Sequence, residues 1–294
     1  MATETPPLLA YTIAQGAVPT EDPARTVVLV HGFPDSPVMW QPTVAHLIGR
    51  GERVISLALP GFEEGAEPGA HPTFDTTVAR IHATLAHTGA LGATLIGHDW
   101  GAIFLYQLLR QHPDAAGRLV TLEIGAGPRS PWLTLFVLLY HGLLVLAHTL
   151  GAGLGDRLMR GLCRLFPRPD YPGALQPAAR HGWLYRQAWR EGSRDGAWPL
   201  YFRNGIARWT PRPTLPVLFL YGQDGARPLR FHTQRWRADV TAHHPASRAE
   251  GLPGGHWCLL EHPDAFHAAL DRFLDRTQGA VPVATPSLAE ISTS

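Results

Sequence analysis

Short apolar runs recur along this chain, punctuated by glycine and proline and separated by stretches with helical spacing. Thr26-Val27-Val28-Leu29-Val30 is a continuous, largely β-branched run, the pattern of a strand buried on both faces. Runs at 53–58, 94–97, 119–124 and 216–221 predict further strands. Positions 76–87 have the spacing of an amphipathic helix, with Thr73 or Asp75 as N-cap and Gly89 just past its end. Positions 263–274 predict a last helix. Strands alternating with helices predict an α/β fold, a mostly parallel sheet flanked by helices with right-handed crossovers.

The alternation breaks between 128 and 213, where five of the nine tryptophans lie and the periodicity is helical. This predicts a helical cap at 128–213, inserted into a core made of 1–127 and 214–277. Residues 278–294 are small, polar and proline-containing and predict a disordered tail. Positions 132–150 carry no formal charge and reach transmembrane length. Thr134, His141, Gly142, His148 and Thr149 interrupt them, and they lie between two parts of one sheet. A pair of cap helices lining an apolar pocket is therefore favoured over membrane-surface association.

Composition narrows the picture further. With 294 residues, 45% of them hydrophobic, the chain can form one large α/β domain with an inserted lid, or two small domains. The net charge of +1, with balanced signs, gives no signal for a nucleic-acid partner. Cys163 and Cys258 fit neither a disulfide framework nor a zinc spacing, which points to a reducing cytoplasm. The first residues lack a basic stretch followed by an apolar one, so no secretion signal is expected. Sixteen histidines show no HExxH-like spacing, and no metal is expected.

Gly97-His98-Asp99-Trp100-Gly101 is the most telling segment. It follows Thr94-Leu95-Ile96 and precedes a helical pattern at 102–109, the strand–turn–helix setting of a nucleophile elbow, with aspartate at its centre. The residues two before and two after that centre must be small for strand and helix to approach, and the centre is strained. A serine there makes an acyl-enzyme from an ester or amide. A carboxylate attacks an electrophilic carbon by displacement and makes an alkyl-enzyme ester. Asp99 therefore points to opening of epoxides or displacement of halide.

With His31-Gly32-Phe33-Pro34 and Gly255-His256-Trp257, this segment makes the chain resemble the α/β-hydrolase superfamily, and within it the epoxide hydrolase and haloalkane dehalogenase branch. The resemblance covers roughly 20–127 and 214–275 and is weak in the cap. It implies Asp99 as nucleophile and His256 as the base that activates water. It implies the N–H groups of Phe33 and Trp100 as oxyanion donors, with His31 buttressing their loop. Two carboxylates are candidates for the acid that orients His256. Asp224 follows the strand ending Tyr221-Gly222, where most of the superfamily keeps it; Glu123 ends the strand 24 residues beyond Asp99. Asp224 is preferred.

Leaving-group assistance separates the two reactions. Epoxide hydrolases that the chain resembles use cap tyrosines, one in an aromatic-Tyr-Arg-Asn segment that here reads Tyr201-Phe202-Arg203-Asn204. Tyr140 ranks first and Tyr201 second, with Tyr185 a further substrate-binding candidate. Dehalogenases cradle halide with the indole that follows the nucleophile, here Trp100, but Phe33 stands where their asparagine commonly follows His-Gly. The reading is a cofactor-free hydrolase that opens a small apolar epoxide to a vicinal diol. The alternatives are a haloalkane dehalogenase and a non-catalytic binding protein, against which the Asp–His–acid set argues.

Overall fold

The computed structural model describes residues 6–63, 65, 72–125, 131–166, 168–194, 214–224 and 231–278. Among them, seven strands form one sheet in the order β1-β3-β2-β4-β5-β6-β7. They are β1 (Tyr11–Ala14), β2 (Thr26–Val30), β3 (Arg53–Leu57), β4 (Thr94–His98), β5 (Arg118–Leu122), β6 (Val217–Gly222) and β7 (Arg248–Leu252). β1 runs antiparallel to β3, and every other pairing is parallel. The inner strands match the apolar runs. β1 and β7 were not legible in the pattern: they are edge strands, and the Arg-Ala-Glu-Gly-Leu of β7 is mostly only partly buried.

A parallel sheet covered on both faces splits its side chains between two cores. Val28 and Val30 of β2 point to one side with Ile55, Leu95, Leu119 and Phe219. There they meet Val78 and Ile81 of α2 (Phe74–His87) and Phe104 and Leu108 of α3 (Trp100–Gln111). Val27 and Leu29 point to the other side with Ile96, Val120 and Leu218. There they meet Leu47 of α1 (Gln41–Gly49) and Phe266, Leu270 and Phe273 of the last helix, Pro263–Arg276. Of the two N-cap candidates for α2, Thr73 takes the position, its hydroxyl accepting the Thr76 N–H at 3.0 Å.

Between β5 and β6 the regular elements among the described residues are helices, including α4 (Pro131–Leu150), α5 (Leu154–Cys163) and α6 (Trp183–Arg194). The charge-free stretch is one continuous helix, not two. Its packing partner is α5, beyond the turn at Gly151 and Gly153, both at positive φ. The expected tail lies outside the described residues from 279 onward.

Candidate active site

β4 delivers Asp99 to a turn at the C-terminal edge of the sheet, and α3 starts one residue later. Asp99 has φ 50° and ψ −118°, a conformation that a non-glycine residue adopts only at a cost. Its neighbours explain how the turn can be so tight. A Cβ on Gly101 would lie 2.1 Å from the Val30 carbonyl oxygen, and one on Gly97 2.7 Å from Gly101 C. Strand and helix could not meet with larger residues there, as the sequence pattern required.

The Asp99 carboxylate sits between two groups. Its Oδ2 accepts the Phe33 backbone N–H at 2.9 Å, and its Oδ1 lies 3.8 Å from His256 Nε2. The Phe33 loop is held by His31, which is fully buried. His31 Nδ1–H donates to Gly32 O at 2.9 Å, and Nε2 accepts the Leu59 N–H at 3.0 Å. Burial lowers its pKa to about 4, against smaller upward influences from Gly32 and Asp35, so the ring is neutral at pH 7.

Behind His256 stands Glu123, not Asp224. Glu123 Oε2 is 3.8 Å from His256 Nδ1, and the residue is 2% exposed. Its Oε1 accepts the Gly222 N–H and the Cys258 thiol, the latter at 3.9 Å. Asp224 is exposed and makes no ion pair with His256. Its Oδ2 accepts the Gly254 N–H at 2.9 Å, and its own N–H donates to Gly254 O at 2.9 Å. The preference for Asp224 is therefore corrected. Asp224 clamps the loop at Gly254, and the buried carboxylate at the end of β5 is the one that faces the imidazole. Burial opposes protonation of His256, but Glu123, Asp99 and Asp35 outweigh it and raise its pKa.

The aromatic candidates divide. Trp100 and Tyr185 are both buried, and Tyr185 meets the rings of Phe33 and Trp100 edge-on at 5.1 and 5.2 Å. Tyr140, on α4, is half-buried. Burial above all raises its pKa, and the Cys163 thiol and Asp99 carboxylate act in the same direction, so the phenol remains protonated and is close enough to feel Asp99. His141 beside it is buried, packs on Tyr185 at 4.8 Å, and is held neutral by desolvation with a pKa of about 3. Tyr201 lies outside the described residues. No group of three metal-ligating side chains converges among the described residues.

Sequence reasoning missed two residues. Asp35 is fully buried. Its Oδ1 accepts from Arg168 Nη1 at 2.9 Å and from the Tyr171 hydroxyl at 2.7 Å; its Oδ2 accepts Trp257 Nε1–H at 2.8 Å. It ties the Phe33 loop, the inserted helical segment and the His256 loop together. Next to Pro34 it reads as turn chemistry, and nothing in its spacing gives it away. His98 is the other: its Nε2–H donates to His256 O at 2.9 Å, fixing the loop that carries His256.

Comparison with known proteins identifies the family. The model of the alpha/beta hydrolase family matches residues 27–269. The chain is 25% identical over 298 residues to "Epoxide hydrolase A" of Mycobacterium tuberculosis, covering 86% of this chain and 91% of that one. It is 34% identical over 108 residues to "Epoxide hydrolase 3" of Siraitia grosvenorii, about a third of each chain (36% and 34%). In structure it resembles an epoxide hydrolase from Bacillus megaterium in complex with its diol product, with a TM-score of 0.69 at 16% identity over 90% of this chain and 96% of that one. An esterase from Thermogutta terrifontis gives 0.62 at 22% identity over 93% and 94%. The chain belongs to the alpha/beta hydrolase family, and it is an enzyme, a hydrolase with epoxide hydrolases among its relatives.

Proposed function

We propose that this hydrolase opens an epoxide to a vicinal diol through a covalent ester on Asp99. One observation carries the reading. The central residue of the elbow is a carboxylate, with one oxygen on the Phe33 N–H and the other facing an imidazole backed by a buried glutamate. In the first step a carboxylate oxygen of Asp99 attacks an epoxide carbon, and the C–O bond breaks. The departing oxygen takes a proton from the Tyr140 hydroxyl, which is protonated at neutral pH. In the second step His256 removes a proton from water, and the hydroxide adds to the ester carbonyl. The Phe33 N–H, with that of Trp100, stabilises the oxyanion, a contribution of about 3 kcal/mol per donor. Collapse expels the diol and restores the Asp99 carboxylate, the proton on His256 returning to Tyr140. Glu123 orients the imidazole and stabilises its cation.

The segment 128–213 serves as the cap. Trp183 Nε1–H donates to Pro60 O at 2.8 Å and Arg168 Nη1–H to Pro34 O at 3.2 Å, which seat it on the core. Leu144, Leu184 and Tyr185 supply the apolar environment that an uncharged epoxide prefers. Halide displacement by the same Asp99 has less support: the phenol of Tyr140 suits a departing alkoxide, and epoxide hydrolases are among the relatives with matching sequence. A binding protein would have no use for the Asp99–His256–Glu123 arrangement.

The test is a single turnover in heavy-oxygen water on a panel of aryl epoxides and haloalkanes. The oxygen gained by the first diol should come from Asp99, which takes up the label as its ester is hydrolysed and passes it to diol only on later cycles. Asp99→Ala should be inactive. His256→Gln should stop after the first step and carry a stable adduct on Asp99, visible by mass spectrometry. Direct entry of label into the first product would reject the ester.

A further inference from the structure

The outer face of α4 is apolar and open to solvent. Trp132, Leu135, Leu139, Leu143, Leu146 and Leu150 are 81, 46, 61, 42, 47 and 43% exposed. At 100° per residue they fall within an arc of about 80°, along a helix about 30 Å long. The helix has no Asp, Glu, Lys or Arg anywhere along it. Its opposite side is committed to the protein: Val137, Leu144, Ala147 and His141 are buried there. The stripe continues into Leu154 at the start of α5 and Leu165 just beyond its end, 61 and 63% exposed. Single exposed leucines are ordinary on a soluble surface. A contiguous row of this length marks a binding face.

Charge identifies the occupant. The described residues between 131 and 194 carry eight arginines against Asp156, Asp170 and Glu191, in a chain whose net charge is only +1. Arg168 is paired with Asp35 of the core. Arg157 and Arg160 lie on α5, packed alongside α4, Arg164 caps its C-terminal end, and Arg157 and Arg164 are exposed. A second copy of the chain joined through a two-fold contact would bring this positive charge against itself. A lipid surface with anionic headgroups meets both features: its acyl boundary takes the leucine row, and its headgroups take the arginines, whose aliphatic stems can lie along the apolar layer.

We propose that the α4–α5 face docks on the surface of an anionic lipid bilayer, with α4 lying in the plane of the interface. The helix rests on the membrane and does not span it. Its inner side is packed on protein, and no helix among the described residues is long and apolar enough to cross a membrane. The two sequence-level readings of the charge-free stretch are then properties of two faces of one helix. The docking is independent of the reaction at Asp99.

The full chain is sedimented with vesicles of equal parts phosphatidylglycerol and phosphatidylcholine, and with vesicles of phosphatidylcholine alone. Wild type should bind the anionic vesicles at least tenfold better. Leu139→Glu/Leu143→Glu should lose at least tenfold of that binding while keeping its circular dichroism and its activity on a water-soluble epoxide. Leu146→Glu/Leu150→Glu, at the other end of the stripe, should do the same and guards against a folding defect in the first pair. Arg157→Glu/Arg164→Glu should lose the preference for anionic lipid. Wild type that stays in the supernatant with anionic vesicles, or folded leucine variants that bind as wild type does, would overturn the proposal. So would a wild-type dimer in vesicle-free sedimentation equilibrium that the leucine variants dissociate, because the stripe would then belong to a second copy.

Discussion

Glu123→Gln puts the geometry around His256 to its sharpest test. The substitution keeps the size of the side chain and, through its amide oxygen, an acceptor for the Gly222 N–H. What it removes is a charge 3.8 Å from His256 Nδ1, on a residue 2% exposed. In the proposed second step the imidazole takes a proton from water and becomes a cation. Opposite unit charges about 4 Å apart, at an effective dielectric of about 20, attract by about 4 kcal/mol. Losing that attraction in the second step slows it by about 10³, at about 1.4 kcal/mol per decade. The proposed first step does not use the imidazole, so the alkyl ester on Asp99 should accumulate and be seen by mass spectrometry. The pH profile supplies a second readout. His256 acts as a base only when neutral, so turnover rises with pH through its raised pKa. Glu123 is the foremost of the groups that raise it. Its removal lowers that pKa, and the acid limb of the profile should move to lower pH as the plateau drops. A packing defect would lower the plateau and leave the limb in place. Asp224→Asn is the control: the residue is exposed and keeps an acceptor for the Gly254 N–H, so activity should stay within about threefold. Near-normal turnover by folded Glu123→Gln, with Asp224→Asn crippled, would refute the assignment and return the acid to the end of β6.

Three further outcomes follow from the same geometry. Tyr140→Phe should slow ester formation on epoxides at least tenfold, about 1.4 kcal/mol in the barrier, with little change in substrate binding; rapid-quench measurements that match wild type would remove Tyr140 from the first step. Asp35→Asn should destabilise the fold by about 3 kcal/mol, since it leaves Arg168 mostly buried without its charge partner. Asp35→Asn combined with Arg168→Met should recover part of that loss, and strictly additive urea midpoints would show that the pair is not coupled. For His31 the folded pKa of about 4 lies below the unfolded value near 6.5. The unfolded chain therefore binds a proton that the native ring refuses, and the stability tied to this residue is complete above pH 6.5 and lost as pH falls towards 4. Over that window it amounts to about 3 kcal/mol, so His31→Gln should flatten the fall in unfolding free energy between pH 7 and 4.5; an unchanged slope would mean the ring is not the cause.

The inner strands were readable because a strand covered on both faces must be apolar throughout, and Thr26–Val30 shows this residue by residue. The edges were not. β1 and β7 are short and need pair on one side only, so their sequences are free to be polar. α4 was ambiguous for a different reason. It is apolar all round, which removes the contrast between faces that periodicity relies on, and whether it was one helix or two rested on a turn at Gly151 and Gly153. At the site, Asp99 stood out because the glycines of its elbow have a steric reason, and His256 because it stands in the Gly255-His256-Trp257 segment that carries the resemblance. Asp35 was invisible, because its role depends on Arg168, Tyr171 and Trp257, which lie far from it in the chain and near it only after folding.

The choice between the two acids shows what backbone geometry adds. Asp224 occupies the superfamily's usual position and sits in an unstrained loop whose local hydrogen bonds fully explain it. Glu123 is held at φ 70°, where a side chain is costly and glycine would be at ease. Among the described residues only Asp99 shares that property outside glycine. The two strained residues are also the two carboxylates on either side of His256, one 3.8 Å from Nε2 and the other 3.8 Å from Nδ1. Local rules are broken where a side chain must be aimed at a place that an ordinary strand end does not reach, and the surrounding packing carries the cost. At the end of β5 a relaxed backbone would send the carboxylate elsewhere, and the turn at Glu123 brings it to the imidazole. The same substitution read at both sites makes the point measurable. Glycine at either position should relieve strain in the backbone, so Asp99→Gly and Glu123→Gly should lose activity by orders of magnitude while costing less stability than the matching alanine variants. A glycine variant less stable than its alanine counterpart at both sites would show that the backbone there is not strained.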